Sequence, residues 1–223
     1  MTLHQLKKRL RWFFFVDLRE KTNKYFAPFR RRFLLGTDFS IISNNCWGAH
    51  VYRKYQIPYN SPTIGMYFFP TEYIKFLSGL RRYCRMPLKV VPASESKYYD
   101  YLCSIQQQNV LIGFLDDVEI VLLHYKTAEE AQEKWERRCQ RINFSHLLIK
   151  NSMQNGMTNE QLSLFNNLKY KHKICFVSPP TAKSSKYVIE YQDDYLNDQI
   201  LDDIIHFDRY INLTNWINSC YEQ

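Results

Sequence analysis

The segment Ser-Asn-Asn-Cys at residues 43–46 places a hydroxyl, two amides and a thiol in direct succession. It follows the apolar, β-rich run Phe39–Ser43, which is typical of a buried parallel strand, and precedes a helix-compatible stretch that extends to about Tyr55. A strand, a polar turn and a helix in this order place the turn at the carboxyl end of a strand, where open α/β sheets bind ligands. Candidate substrate-binding residues in and beside this turn are Ser43, Asn44, Asn45 and Trp47.

Cys46 is the candidate nucleophile of this turn. A thiol at the N-terminus of a helix has a lowered pKa, and exposed backbone N–H groups nearby can stabilise an oxyanion. The alternative is that Cys46 is a small, unreactive buried residue beside Trp47. His124, at the end of the predicted strand Val118–His124, is a candidate general base, with a hydrogen-bonded structural histidine as its alternative. A Cys46–His124 pair would favour acyl transfer.

Asp116 is the third catalytic candidate, and with Asp117 it precedes that strand. The two carboxylates could hold a sugar hydroxyl or a divalent ion, which would favour a nucleotide-activated donor, although paired acids in a turn are more often turn formers. Cys46 and His124 can meet only if the strand at residues 39–43 and the strand Val118–His124 lie near each other and run parallel. Asp116 joins them only if the preceding strand, Val110–Leu115, delivers it from a parallel direction.

Two further groups could contact a substrate. Lys134, Arg138 and Arg141 form one basic face of a predicted helix at i, i+4 and i+7, where they could meet a phosphate or an acidic glycan, or stay solvated beside glutamates. The proline-rich segment Ile57–Pro70 is predicted to be a long ordered loop near the carboxyl end of the first strand. Aromatic and amide-rich loops suit sugar stacking and hydrogen bonds to hydroxyls. The candidates from these regions are Tyr59, Ser61, Thr63, Arg138 and Arg141, and Tyr125 joins them from the end of the strand Val118–His124.

No structural metal site is predicted. The six cysteines are scattered, with no CxxC pair and no histidine cluster of zinc-finger spacing. Motifs such as GxSxG, GxGxxG, the Walker loop and HExxH are absent, so the sequence leaves any cofactor unknown. The longest apolar run near the start, Trp12–Val16, is too short for a signal peptide or a spanning helix. We therefore expect a cytoplasmic protein with reduced thiols.

The positive charge is concentrated at the N-terminus. Residues 1–40 carry ten Lys/Arg and three Asp/Glu, a net charge of +7 out of the total +8. A nucleic-acid-binding domain would spread a basic face over its folded body, so nucleic acid is not an expected partner. Leucine and phenylalanine recur at helical spacing from Leu3 to Leu18, which predicts an amphipathic helix that ends before Pro28.

We expect residues 1–36 to form a basic arm that lies on an anionic membrane surface, where each basic residue contributes roughly 1 kcal/mol. The alternative is a helix packed on the domain with a solvated basic side. The candidate membrane-contacting residues are Lys7, Lys8, Arg9, Arg11, Trp12, Arg30, Arg31 and Arg32. The expected location is the inner face of the cytoplasmic membrane, with the protein bound peripherally.

Residues 37–223 are predicted to form a single α/β domain, because strands alternate with capped helices. Thr127 and Thr158 begin capping-box patterns, and Thr71 is a predicted N-cap. A hairpin that turns at Asp116-Asp117 would make the sheet mixed rather than wholly parallel. The acidic segment from Gln192 to Asp208 is predicted to be helix and loop. Further strands are predicted at Leu88–Val91, Leu147–Lys150 and Lys173–Val177.

Three separated segments carry a family resemblance. They are Phe39-Ser-Ile-Ile-Ser-Asn-Asn-Cys-Trp-Gly48; Tyr59-Asn-Ser-Pro-Thr-Ile-Gly65 with Phe69; and His124-Tyr-Lys followed by Lys134-Trp-Glu-Arg-Arg138 and Arg141-Ile-Asn143. Together they resemble the DUF1919 family of exopolysaccharide biosynthesis proteins, from about residue 37 to 180. The resemblance implies a three-layer α/β fold, with helices on both faces of the sheet, and a role in making capsule or lipopolysaccharide. The family often has a Ser-Asp-Arg-Asp-like stretch where this chain has Asn151-Ser-Met-Gln-Asn-Gly156.

These observations lead us to expect a transferase that modifies or extends a nascent or lipid-linked surface glycan. The transferred group could be glycosyl, acyl or a phosphorylated alcohol, so the expected partners are a glycan and an activated sugar or acyl donor. The alternative from another class is a non-catalytic subunit that docks a polysaccharide-synthesis complex to the membrane. A docking subunit should tolerate substitution of both Cys46 and His124.

Overall fold

The computed structural model describes residue 10, residues 12–179 and residues 185–222. Its strands are β1 Ser40–Ser43, β2 Lys89–Pro92, β3 Leu111–Leu115, β4 Val118–Leu122, β5 Leu147–Ser152, β6 Lys173–Val177, β7 Val188–Glu190, β8 Tyr195–Leu196 and β9 Gln199–Ile200. Its α-helices are α1 Leu18–Arg31, α2 Trp47–Tyr55, α3 Pro70–Ser78, α4 Leu80–Tyr83, α5 Tyr99–Ser104, α6 Ala128–Cys139, α7 Asn159–Asn167 and α8 Leu213–Asn218. A π-helical turn, Phe13–Asp17, precedes α1, and 3₁₀ turns occupy Ala93–Glu95 and Phe207–Arg209.

The central sheet has four strands in the order β1-β5-β6-β7. All three pairings are parallel, with Ser40 opposite Leu147 and Ile149 opposite Lys173. Every residue of β1 and β6 is buried, as expected for parallel strands covered on both faces. The predicted strands at β1, β5 and β6 are therefore confirmed, and their carboxyl ends meet at one edge.

A separate antiparallel sheet contains β2, β3 and β4. The predicted hairpin is confirmed: β3 and β4 are joined at Asp116-Asp117, and Asp116 adopts a positive φ of 57°. β4 does not lie parallel beside β1, the condition set for Cys46 and His124 to meet, because the hairpin pairs locally with β2. Asp116 is consequently left at the turn, away from the end of β4 that leads to His124.

The loop at residues 65–69 joins the two sheets. Tyr67 exchanges two backbone hydrogen bonds of 2.9 Å with Val121 in β4, and the Phe68 N–H donates to the Asn44 carbonyl at 2.9 Å. The His124 N–H donates to the carbonyl of Gly65, which has a positive φ of 78° that suits glycine. The turn after β1 and the end of β4 are thus brought together by this loop rather than by strand pairing.

The layers follow from the two faces of the parallel sheet. On one face Ile41 and Phe176 pack with Trp47 of α2 and Ile217 of α8. On the other face Ile42 packs with residues of α3, α6, α7 and the antiparallel sheet. The predicted α/β fold with helices on both faces is therefore confirmed.

The N-terminal helix packs on the body of the protein. Ala27 and Asn23 are buried, and the guanidinium groups of Arg30 and Arg31 donate to carbonyls of Lys54 and Tyr55 at the end of α2 (3.1 and 2.9 Å). The predicted end before Pro28 is wrong, since α1 continues through Pro28 to residue 31. Packing on α2 outweighs the one backbone hydrogen bond that a proline removes.

The candidate membrane contacts consequently differ in their surroundings. Arg30 and Arg31 cap α2, whereas Arg32 is exposed and Trp12 lies against His50 with ring centroids 6.2 Å apart. The candidates Lys7, Lys8, Arg9 and Arg11 lie outside the described residues. Among the residues that are described, no helix has the length and apolar character that crossing a membrane requires.

Two local predictions differ from the structure. The N-cap of α3 is Phe69 rather than Thr71, because Pro70 takes the first helical position, where its fixed φ and missing N–H suit a helix start. The segment from Gln192 to Asp208 contains the β8–β9 hairpin and a 3₁₀ turn instead of a helix. Asn197-Asp198 forms the hairpin turn with positive φ at both residues, a conformation that Asn and Asp tolerate. The side-chain caps by Thr127 and Thr158 are confirmed.

Candidate functional site

A buried ion pair lies at the carboxyl edge of the parallel sheet. Lys150 of β5 and Asp203 of the C-terminal segment are 0% and 1% exposed, and their charged groups are in direct contact. Asp203 also accepts hydrogen bonds from Ser152 Oγ and from Asn45 Nδ2, the latter at 3.0 and 3.1 Å to its two oxygens. Lys150 Nζ donates to Asn45 Oδ1 at 3.1 Å. This network fastens the turn after β1 to the end of β5 and to the C-terminal segment.

Asp202 and Asp203 are adjacent carboxylates with opposite pKa shifts. Burial raises the pKa of Asp202 to about 6, despite hydrogen bonds from backbone N–H groups. Burial alone would also raise the pKa of Asp203, but Lys150 and the neighbouring donors lower it below its ordinary value. Asp202 Oδ1 accepts the Ile204 N–H at 2.7 Å, whereas Oδ2 receives no hydrogen bond from the described residues. Carboxylates whose surroundings separate their pKa values are typical of acid–base sites.

A cavity of about 510 Å³, which we call the amide cleft, opens beside this pair. Both carboxylates line it, together with the rings of Tyr67 and Tyr101. Six amide side chains also line it, which are Asn45, Gln107, Gln154, Asn155, Asn197 and Gln199. In the part of the chain that the structure describes, the side chains of Asn155 and Asn197 make no hydrogen bond, so their donors and acceptors are free for a ligand.

A second cavity, of about 420 Å³, lies between the N-terminal helix, α2 and α6, and we call it the helix cavity. Trp12, Asp17 and Glu20 line its side toward the N-terminal helix. The remaining lining comes from α2, α6, the loop before residue 66 and the end of β4, including His50, Arg53, Lys134, Arg138, Tyr125 and His124. Cys46 lines this cavity and also the amide cleft. The two cavities therefore adjoin at Cys46.

Cys46 and His124, the predicted nucleophile and base, both line the helix cavity. Burial, together with the negative charge of Asp203, raises the pKa of the Cys46 thiol to about 11, opposite to the shift that a nucleophilic thiolate needs. Burial and the charge of Arg53 lower the pKa of His124, so its ring is neutral near pH 7. Catalysis by this pair stays a prediction, and the protonated thiol fits the alternative of an unreactive residue.

Three of the other predicted turn residues make contacts within the fold. Ser43 Oγ donates to the Asn45 carbonyl at 2.7 Å and accepts the Gly48 N–H at 3.3 Å, near the start of α2. The Asn44 side chain bonds both the N–H and the carbonyl of Ser152, which extends the pairing of β1 with β5. Trp47 is fully buried beneath the site, with Lys150 Nζ 5.5 Å from its ring centroid.

The loop candidates support the helix cavity. Ser61 and Thr63 are buried and bond each other at 3.1 Å, and Thr63 Oγ1 accepts the Ser43 N–H at 3.2 Å. The Tyr125 hydroxyl donates to the Ile64 carbonyl at 2.6 Å. Tyr59 lies under Arg138, whose guanidinium carbon is 5.5 Å from the ring centroid.

Two predicted residues lie away from both cavities. Asp116 contacts Arg82 at 3.5 Å on the exposed surface of the β3–β4 turn. Arg141 is exposed, one residue beyond the C-cap of α6. Neither is among the residues that line the amide cleft or the helix cavity.

Sequence reasoning missed Lys150, Asp202, Asp203 and Gln154. Lys150 ends an apolar run, and a lysine at the end of a predicted buried strand is a signal for a buried counter-charge. The acidic pair at residues 202–203 lay in a segment predicted to be helix and loop, so nothing in its pattern placed it beside β5. Its position depends on tertiary packing alone.

A larger cavity, of about 860 Å³, lies at the opposite edge of the sheet, where residues just before β5 and β6 line it. Ligand sites of parallel sheets lie at the carboxyl ends, so we regard the two smaller cavities as the candidate site. No group of three or more His, Cys, Asp or Glu side chains within the described ranges could hold a metal ion.

The chain is similar to a family model and to a bacterial protein. The family model described as "Domain of unknown function (DUF1919)" matches residues 18–220. A protein of Haemophilus influenzae that is described as "Uncharacterized protein" is 30% identical over 160 residues, which cover 71% of each chain.

Proposed function

The chain belongs to the DUF1919 family, and we propose that it is a transferase of surface-polysaccharide synthesis that activates a hydroxyl group of a glycan in the amide cleft. The observation that carries the proposal is the Asp202–Asp203 pair inside a cleft lined by amides and tyrosine rings. Amide side chains both donate and accept hydrogen bonds, as sugar hydroxyls require, and aromatic rings offer apolar faces.

The two carboxylates have different roles in this proposal. Asp202 is the general base, because its Oδ2 has no partner among the described residues and its pKa of about 6 is near the pH of the cell. It accepts the proton of the acceptor hydroxyl as that oxygen attacks the donor, and the leaving group departs with the electrons of the broken bond. Asp203 stays ionised beside Lys150 and positions Asn45 through their hydrogen bonds.

The outer face of the N-terminal helix supports a site of action at the membrane. Phe14, Tyr25 and Phe29 are 57%, 70% and 59% exposed, and the basic residues Lys21 and Arg32 are also exposed. Large exposed aromatic side chains with basic neighbours are typical of helices that lie in the interface of an anionic bilayer. We propose that this face binds the inner leaflet, where lipid-linked glycans are assembled.

The test is Asp202→Asn in cells whose own copy of the gene is deleted, with the surface polysaccharide measured by amount and sugar composition. Removing a general base lowers a rate by about 10²-fold or more, so polymer should be lost or altered. Asp198→Asn is the matched control, because Asp198 lies in the exposed β8–β9 turn and does not line the cleft. Wild-type polymer from Asp202→Asn would refute the proposal.

The docking subunit remains the alternative from another class. A docking subunit would tolerate Asp202→Asn but lose function when Phe14 and Phe29 are replaced by serine. The transferase would therefore be favoured if the Asp202→Asn variant loses polymer while its amount in the membrane fraction stays normal.

A further inference from the structure

Arg138 is a buried cation for which the structure provides no anionic partner. The side chain is 92% buried, and its Nη1 donates to the Ile64 carbonyl at 3.1 Å and to the Tyr125 hydroxyl at 2.7 Å. Its guanidinium also lies over the Tyr59 ring. Within the described residues no carboxylate lies within ion-pair distance of it, and Nε and Nη2 donate no hydrogen bond.

The other cations of the helix cavity differ in this respect. Arg53 Nε donates to Glu20 at 2.8 Å, and Lys134 Nζ pairs with Glu130 at 2.5 Å. Asp17 also lines the cavity but forms no ion pair with Arg138. A charge that is removed from water without a counter-charge is costly, so an anion that enters the cavity would stabilise the buried guanidinium.

We infer that the helix cavity binds a phosphate-bearing anion, with Arg138 as its counter-charge. A guanidinium offers a fork of N–H donors that matches two oxygens of a phosphate, and no described residue accepts a hydrogen bond from Nε or Nη2 of Arg138. The cavity volume of about 420 Å³ admits a diphosphate group. The inference that this anion is the phosphate of the activated donor rests on the proposed function. The inference that the cavity binds phosphate does not.

The position of the cavity fits this role. It adjoins the amide cleft at Cys46, so a donor and an acceptor could meet there. Its wall includes Trp12, Asp17 and Glu20, on the N-terminal helix whose other face carries the exposed Phe14 and Phe29. A phosphate could therefore come from a soluble donor or from a lipid headgroup.

The first experiment titrates inorganic pyrophosphate into the full-length protein and follows binding by ³¹P NMR and by the rise in thermal unfolding temperature. Arg138→Gln should weaken binding by about tenfold or more, because charge-assisted hydrogen bonds are lost. Asp17→Asn should strengthen it, since one carboxylate is removed from the cavity wall. Circular dichroism establishes that each variant is folded, and if Arg138→Gln is not, Arg138→Lys and Asp17→Asn still test the site.

A second arm measures co-sedimentation with vesicles of phosphatidylcholine and phosphatidic acid at high salt, where the basic surface contributes least. If Arg138→Gln weakens vesicle binding but not pyrophosphate binding, the phosphate belongs to a lipid headgroup. If the substitution weakens pyrophosphate binding but not vesicle binding, the phosphate belongs to a soluble donor. Binding in neither arm, or binding that folded Arg138 and Asp17 variants leave unchanged, would overturn the inference. Asp202→Asn should retain phosphate binding, so normal polymer from that variant would remove the proposed function and leave this site standing.

Discussion

Replacing Lys150 by Met should expose how strongly the site depends on one buried ion pair. The substitution leaves the Asp203 carboxylate, which is 1% exposed, without a cation but with its bonds from Ser152 and Asn45. Removing one partner of a buried pair costs about 3–5 kcal/mol. Domain stabilities are about 5–15 kcal/mol, so for a domain of about 10 kcal/mol the variant should lose about 30–50% of the unfolding free energy.

The assay is urea unfolding followed by tryptophan fluorescence, because the Trp47 ring lies 5.5 Å from Lys150 Nζ. Asp203→Asn is measured in parallel, together with the double variant. In the double variant neither charge remains, so its cost should be smaller than the sum of the single costs by about 2 kcal/mol or more.

The same pair predicts a pH dependence. Lys150 and the neighbouring donors lower the pKa of folded Asp203 below 3.8, so their stabilisation is present above that value and is lost as the pH falls through the folded pKa. In Lys150→Met the buried carboxyl has no cation and takes up a proton at higher pH. The difference in unfolding free energy between wild type and variant should therefore shrink as the pH is lowered. Additive single costs, or a difference that is constant from neutral to acid pH, would refute the reasoning.

Three further predictions concern other parts of the molecule. Replacing both Phe14 and Phe29 by serine should leave the fold intact and weaken co-sedimentation with anionic vesicles by at least about tenfold. The reason is that burying each exposed ring in the bilayer contributes roughly 1.5–3 kcal/mol to the free energy of binding. Vesicle binding equal to that of the wild type would contradict the proposal that this face binds a membrane. Thr158→Ala should cost about 1 kcal/mol in urea unfolding and Thr71→Ala less than about 0.5 kcal/mol, since Thr158 alone of the two caps a helix. Activity should rise between about pH 5 and 7 as Asp202 loses its proton, and a pH-independent rate would exclude it as the base.

The elements with local signals were predictable from the sequence. β1 and β6 are short buried apolar runs, and Thr127 and Thr158 mark helix starts through their side-chain caps. The start of α3 was missed by two residues because Pro70 and Thr71 are both plausible at a helix start, and the proline took the first helical position.

The candidate site was predictable only in part. The turn at residues 43–46 lies at a sheet edge, as a strand followed by a helix implies, and Cys46 shares a cavity with His124. Cys46 and His124 do not come together through neighbouring parallel strands. The loop at residues 65–69 brings them together by joining strands of two sheets. No local pattern in the sequence predicts that Asn44 and Ser43 form structural hydrogen bonds. Nor does any local pattern place Asp203 beside Lys150, because that contact joins distant segments of the chain.

The backbone pairing of residues 65–69 has a consequence for how the protein forms during synthesis. β1 pairs with β5 in the parallel sheet, so β1 has no strand partner until the ribosome has made the residues between them and β5 itself. The antiparallel sheet needs only contacts between neighbouring strands, so it can form earlier. The Phe68 N–H then attaches Asn44, at the end of β1, to the early-forming sheet through the Tyr67–Val121 pairing. We expect this attachment to protect an aggregation-prone buried strand while its partners are still being translated.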